Sequence, residues 1–142
     1  MNIHPSWSID HIGIAVDDLN AAVELYCARL GATVTLREKL EEQGVEIAFI
    51  GGGATKVELL APLREGTTLS KFLARRGAGL HHIGYRVANI KEELARLAQA
   101  GCVLIDSTPR PGAAGSQIAF ISPKSFMGVL TELVQNQDSQ IA

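Results

Sequence analysis

Short apolar stretches alternate along this chain with segments whose apolar residues fall three and four apart. Residues 9–16, IDHIGIAV, are rich in Ile and Val and end at Asp17–Asp18, which predicts a strand followed by a capped helix. Leu19, Ala22, Val23, Tyr26 and Leu30 then mark one helical face, closed by Gly31. ATVTLRE alternates and reads as a strand, and GVEIAFI and KVELLAP read as a hairpin around GGGAT. A connector follows, with a short helix in TLSKFLARRG stopped by Gly77. LHHIGYRV reads as a strand. Asn89 and Glu92 form a capping box for a helix whose apolar face is Ile90, Leu94, Leu97 and Ala98, with Gly101 at its end. CVLID, SQIAFIS and GVLTELVQ predict three further strands before a polar tail. The order β-α-β-β-β therefore occurs twice.

The duplication also shows in the letters. DHIGIAV at 10–16 returns as HHIGYRV at 81–87, aligning His11 with His82 at an offset of 71. Gly31 and Gly101 are 70 apart, and Glu58 of VELL and Glu132 of TELV are 74 apart. Two copies make a duplicated half-domain, packed about a pseudo-twofold axis, not a solenoid. The expected class is α+β: two βαβββ modules at about 8–61 and 79–136, a connector helix within 62–78, and a tail at 137–142, all in one domain spanning 1–142.

Composition narrows the partners. A net charge of −2 invites neither nucleic acid nor an anionic membrane. No apolar run approaches the length of a membrane span, and the first ten residues lack the pattern of a secretion signal, so a cytoplasmic protein is expected. Cys27 and Cys102 read as buried, reduced thiols.

Side chains alternate faces along a strand. His11, Gly13 and Ala15 share one face, and Ile12, Ile14 and Val16 the other. Glu58 opposes the helix-facing set Val57, Leu59 and Ala61. The second module offers His82, Gly84 and Glu132 in the same way. A lone histidine or strand glutamate is usually unremarkable, but both types recur here at matched positions. His11, Glu58, His82 and Glu132 suit a divalent ion, Co²⁺ or Mn²⁺ foremost and Ni²⁺ or Zn²⁺ next, with two octahedral positions left for a chelating substrate. His81 has the opposite parity and reads as structural, and His4 sits in a loose end.

These residues carry a resemblance. The duplicated pattern, with DHIGIAVDDL, VELLAPL, LSKFLARRGAGLHHIGYRV and SPKSFMGVLTELVQ, resembles the vicinal oxygen chelate superfamily and, within it, the methylmalonyl-CoA epimerases. The resemblance covers residues 8–136. It implies a cupped mixed sheet and a divalent metal held by His11, Glu58, His82 and Glu132. Some members have Gln where Glu58 stands, and Ser122 stands where the family carries a histidine before PKS.

The reaction so implied interconverts (2R)- and (2S)-methylmalonyl-CoA. A C2 proton leaves one face and returns on the other, with a Lewis acid stabilising the enolate. Two bases are the simplest device. One is Glu132, ligand and base together by the family's pattern. The other is Glu46: Val45, Ile47 and Phe49 read as the helix-facing set, and pairing Ile50 with Ala54 places Glu46 opposite Glu58. Arg86 shares the parity of His82 and is a candidate to meet a substrate anion. The loop RPGAAGSQ is a candidate to cover the site or take coenzyme A phosphates. The expected partners are an acyl-CoA thioester and a second copy of the chain. A glyoxalase I-like lyase and a metal-free drug-sequestering protein are the alternatives. An extradiol dioxygenase fits less well, since it needs only two histidines and one glutamate.

Overall fold

The computed structural model describes residues 7–137. The calls on His4 and on the end of the tail therefore lie outside the described residues. The elements are β1 (Ser8–Ala15), α1 (Leu19–Leu30), β2 (Val34–Leu40), β3 (Val45–Ile50), β4 (Lys56–Pro62), α2 (Thr68–Arg76), β5 (Gly79–Arg86), α3 (Ile90–Gln99), β6 (Arg110–Pro111), β7 (Gln117–Ile121) and β8 (Thr131–Gln135). Contacts divide the chain into two compact units, His11–His81 and His82 onward with the residues up to Asp10. The connector helix α2 thus belongs to the first unit.

In the first unit the strand order is β2-β3-β4-β1. β1 runs parallel to β4, with Gly13 opposite Glu58, and the other pairs are antiparallel. α1 starts where the Asp18 carboxylate accepts the Ala21 N–H and ends at Gly31, whose φ of 63° is the left-handed conformation glycine tolerates. It packs Leu19, Ala22, Val23 and Tyr26 over Val16, Ala48, Ile50, Leu59 and Ala61. Leu30, expected on this face, is exposed at the last turn. Cys27 is a half-buried free thiol against the same core.

The second unit repeats the plan, with order β5-β8-β7-β6. β5 runs parallel to β8, with Gly84 opposite Glu132. Ile90, Leu94 and Leu97 of α3 bury against Ala119, Ile121 and Leu133, and Cys102 packs half-buried beside them. Asn89 caps α3 by accepting the Glu92 N–H, and the buried Gln135 Oε1 accepts the Ile90 N–H at 2.8 Å. One hydrogen bond recurs at equivalent places: Val16 N–H donates to Leu60 O, and Val87 N–H to Val134 O, both at 2.9 Å.

Two expectations need correction. CVLID is not a strand: only Leu104 bridges to Ile121, and the N–H groups of Ile105 and Asp106 both donate to the Phe120 carbonyl. The segment therefore crosses the sheet edge, and Arg110–Pro111 supplies the edge strand. The β3–β4 hairpin is also longer than a three-residue turn, because Ile50 lies opposite Val57, not Ala54. After β3 the Gly51 N–H donates to Thr33 O, holding the chain to the β2 side before it turns.

Candidate functional site

Each unit builds one buried histidine–glutamate pair. In the first, Ile14 of β1 and Val16 just after it go under α1, so His11 and Gly13 occupy the opposite face. Val57, Leu59 and Ala61 of β4 do the same, leaving Glu58 beside His11. His11 is 3% exposed and Glu58 7%, and His11 Nε2 lies 3.7 Å from Glu58 Oε1. The second unit gives His82 at 3%, Glu132 at 5%, and 3.5 Å from Nε2 to Oε1. In both, the glycine two residues after the histidine faces the glutamate across a parallel pair, so no side chain intervenes.

The donor chemistry fits a metal. Both separations exceed the usual N–H···O hydrogen-bond length of about 3 Å. They lie just above the roughly 3.0–3.4 Å between two ligands of one ion with bonds of about 2.1 Å. An imidazole nitrogen and a carboxylate held at that spacing in a buried place suit a divalent ion.

The surroundings repeat as well. The Phe49 ring meets the His11 ring edge-on at 5.7 Å, and Phe120 meets His82 edge-on at 5.6 Å. Phe49 lies opposite Glu58 and Phe120 opposite Glu132. A cation lies over each phenyl ring, Lys56 Nζ at 5.2 Å and the Arg110 guanidinium at 5.8 Å. Arg110 also pairs with Asp106 at 3.2 Å. Sequence reasoning missed this shell, although its signal was present: Phe49 and Phe120 are 71 apart, the offset of His11 and His82.

Other candidates fall elsewhere. Glu46 lies opposite Ala61, while Phe49 is opposite Glu58. Ala48 and Ile50 pack with α1, so Glu46 has the helix-side parity, and its carboxylate takes the Arg37 Nε–H at 3.1 Å. Glu46 therefore does not stand opposite Glu58 as expected: β3 is apolar on both faces, so hydrophobicity along the strand does not mark which face packs on α1. Arg86 binds Asp10 at 2.9 Å and Ser8 at 2.9 Å, and Asn136 donates to the same buried carboxylate at 3.2 Å. His81 stacks edge-on with Phe72 at 4.7 Å, apart from the pair made by its neighbour His82. In the loop 110–117, Gly112 N–H donates to Ser116 O and Ser116 N–H to Ala113 O, closing a tight turn into β7. Ser122 accepts the Lys124 N–H at 3.2 Å and caps the PKS turn.

Residues 10–120 match the model of the Glyoxalase/Bleomycin resistance protein/Dioxygenase superfamily. The chain belongs to that superfamily. Among curated proteins it is 43% identical, over 129 residues, to the ethylmalonyl-CoA/methylmalonyl-CoA epimerase of Cereibacter sphaeroides, covering 89% of this chain and 96% of that one. A solved methylmalonyl-CoA epimerase in complex with methylmalonyl-CoA and NH4+ is 42% identical, with a TM-score of 0.89 over 93% of this chain and 96% of that one. A variant of the Streptomyces coelicolor methylmalonyl-CoA epimerase, in complex with 2-nitronate-propionyl-CoA, is 43% identical, with a TM-score of 0.88 over 92% of this chain and 94% of that one. The superfamily's α+β fold, with its mixed β-sheet and helices, is therefore that of this chain, and its similarity within the superfamily is to methylmalonyl-CoA epimerases. No helix among the described residues is long and apolar enough to cross a membrane.

Proposed function

We propose that this protein is a divalent-metal-dependent epimerase interconverting (2R)- and (2S)-methylmalonyl-CoA. The observation that carries the reading is the recurrence of one buried His–Glu pair, at the same strand register, in a chain 42% identical to an epimerase solved with methylmalonyl-CoA. His11, Glu58, His82 and Glu132 are the residues that would hold the ion. Two imidazoles and two carboxylates favour Co²⁺ or Mn²⁺. A bound divalent ion would supply Lewis-acid stabilisation of the negative charge that develops on the thioester oxygen when C2 loses its proton.

The residues of the chain do the rest. The four ligands are fixed by strands, so the substrate's thioester and carboxylate oxygens meet a site that needs little rearrangement. Glu132 takes or returns the C2 proton on one face. The Phe49 and Phe120 rings limit rotation of the two imidazoles and keep water from their edges. The test follows deuterium uptake at C2 of each stereoisomer in D₂O by NMR, before and after chelation and after Co²⁺ or Mn²⁺ is returned. Uptake and epimerisation that vanish with the metal and return with it support the reading. Full activity in protein verified as metal-free rejects it.

A further inference from the structure

We infer that Arg110, braced by Asp106, is a positioning residue for His82 and acts on it through the Phe120 ring. The inference rests on the metal reading above, in which His82 is a ligand, and adds two residues outside the ligand set. Phe120 needs holding because of where it stands. β6 is two residues long and its pairing with β7 stops at Ile118, so β7 runs on past its outer neighbour. The N–H and carbonyl of Phe120 turn to that open side and are satisfied by the segment after α3. The N–H donates to Asp106 Oδ2 at 2.9 Å, and the carbonyl accepts the N–H groups of Ile105 and Asp106 at 3.0 and 3.1 Å.

The same aspartate holds the ring. Its other oxygen, Oδ1, lies 3.2 Å from Arg110 Nε, and the Arg110 guanidinium lies over the Phe120 ring at 5.8 Å. Phe120 in turn meets the His82 ring edge-on at 5.6 Å, with 84° between the planes. Asp106 therefore fixes the backbone of Phe120 with one oxygen and, through Arg110, the face of its ring with the other. Register puts these groups on one side of the sheet: Arg110 lies opposite Ile118, two residues before Phe120, and Phe120 lies opposite Glu132. The Asp106–Arg110 contact is one of charge, because the buried Nε makes no hydrogen bond among the described residues. The arrangement thus needs a cation over the ring, not a guanidinium as such. The first unit agrees, since there a lysine, Lys56, lies over the Phe49 ring at 5.2 Å and Phe49 meets His11.

A ring held on one face by a cation and at its backbone by three hydrogen bonds has fewer orientations to offer the imidazole beside it. His82 then has less freedom to give up when it binds an ion. A direct field effect of Arg110 has the opposite sign. A positive charge near a cation site weakens that site, so its removal, by field alone, tightens the ion. The direction of the change separates positioning from electrostatics.

The experiment measures the Co²⁺ Kd of wild type, Arg110→Met, Arg110→Lys, Phe120→Leu and the double variant Arg110→Met/Phe120→Leu by competition against a chromophoric chelator. Ring-nitrogen NMR of His82 is recorded on each metal-free protein. Arg110→Met keeps the length of the arm and loses the charge. It is expected to raise the Kd roughly 2- to 5-fold, the scale of a partly exposed cation–π contact, and to shift or broaden the His82 ring resonances before metal is added. Arg110→Lys is expected to restore both. In the Phe120→Leu background Arg110→Met is expected to add no further weakening, because the ring through which Arg110 acts is gone. Arg110→Gln is read in the same way if Arg110→Met does not fold. An unchanged or lower Kd in the neutral variant overturns the inference, as do unmoved His82 resonances. Equal weakening in both backgrounds overturns it too, since Arg110 then acts by a route that bypasses Phe120. Wild type that binds no Co²⁺ overturns the metal reading and this inference with it, whereas failure of the inference alone leaves wild-type binding intact.

Discussion

Replacing Phe49 by Leu tests whether the aromatic shell prepares the histidines for an ion. The ring is 7% exposed and meets His11 edge-on at 5.7 Å with an interplanar angle of 66°. An edge-to-face aromatic pair is worth about 0.5–1.5 kcal/mol beyond its buried area. Leucine keeps an apolar residue there but removes that pair, so His11 gains rotational freedom that must be given up when the ion binds. At about 1.4 kcal/mol per tenfold, the metal Kd should rise about 2- to 12-fold. Phe120→Leu acts on His82 at 5.6 Å in the other unit and should cost the same. The two rings touch different histidines, so the double variant should weaken binding further than either single one, with the product of the two, about 5- to 140-fold, as the value expected if they act independently. The assay is competition against a chromophoric chelator, with circular dichroism confirming that each metal-free variant is folded. An unchanged Kd in folded Phe49→Leu refutes preorganisation by the ring. A weakened site in one single variant but not the other refutes the equivalence of the two halves.

His11→Ala, Glu58→Ala, His82→Ala and Glu132→Ala should each leave the purified protein depleted of metal, while His81→Ala, which loses only its stack on Phe72, should keep it; elemental analysis reads both. Gly112→Ala should lower stability by about 1–3 kcal/mol in denaturant titration, because a Cβ there meets Ile118 Cγ2 and Ser116 Oγ at 2.6 Å. Asp10→Ala should destabilise the metal-free fold by about 3 kcal/mol or less in the same titration. Its carboxylate is 3% exposed, but the Arg86 side chain it strands is 28% exposed and regains water.

The two histidine–glutamate pairs were legible in the sequence because each step needed only local information. Strand parity decides the face within a few residues, and the duplication supplied a second, independent reading of the same parity. The helix boundaries were legible for the same reason: Asp18, Gly31 and Asn89 act on backbone groups no more than a few residues away. Glu46 was not legible. β3 is buried on both sides, Ala48 and Ile50 against α1 and Phe49 against His11, so no polar alternation marks its inner face. Its register depended on where the glycine-rich connection closed, and three residues of difference there moved Glu46 from Glu58 to Ala61. CVLID failed likewise, since an apolar run becomes a strand only when an edge is open to it, and Arg110–Pro111 holds that edge. Periodicity and caps belong to the chain alone, whereas which face is inner and which residues stand opposite are properties of pairs of strands, and those pairs exist only once the sheet has formed.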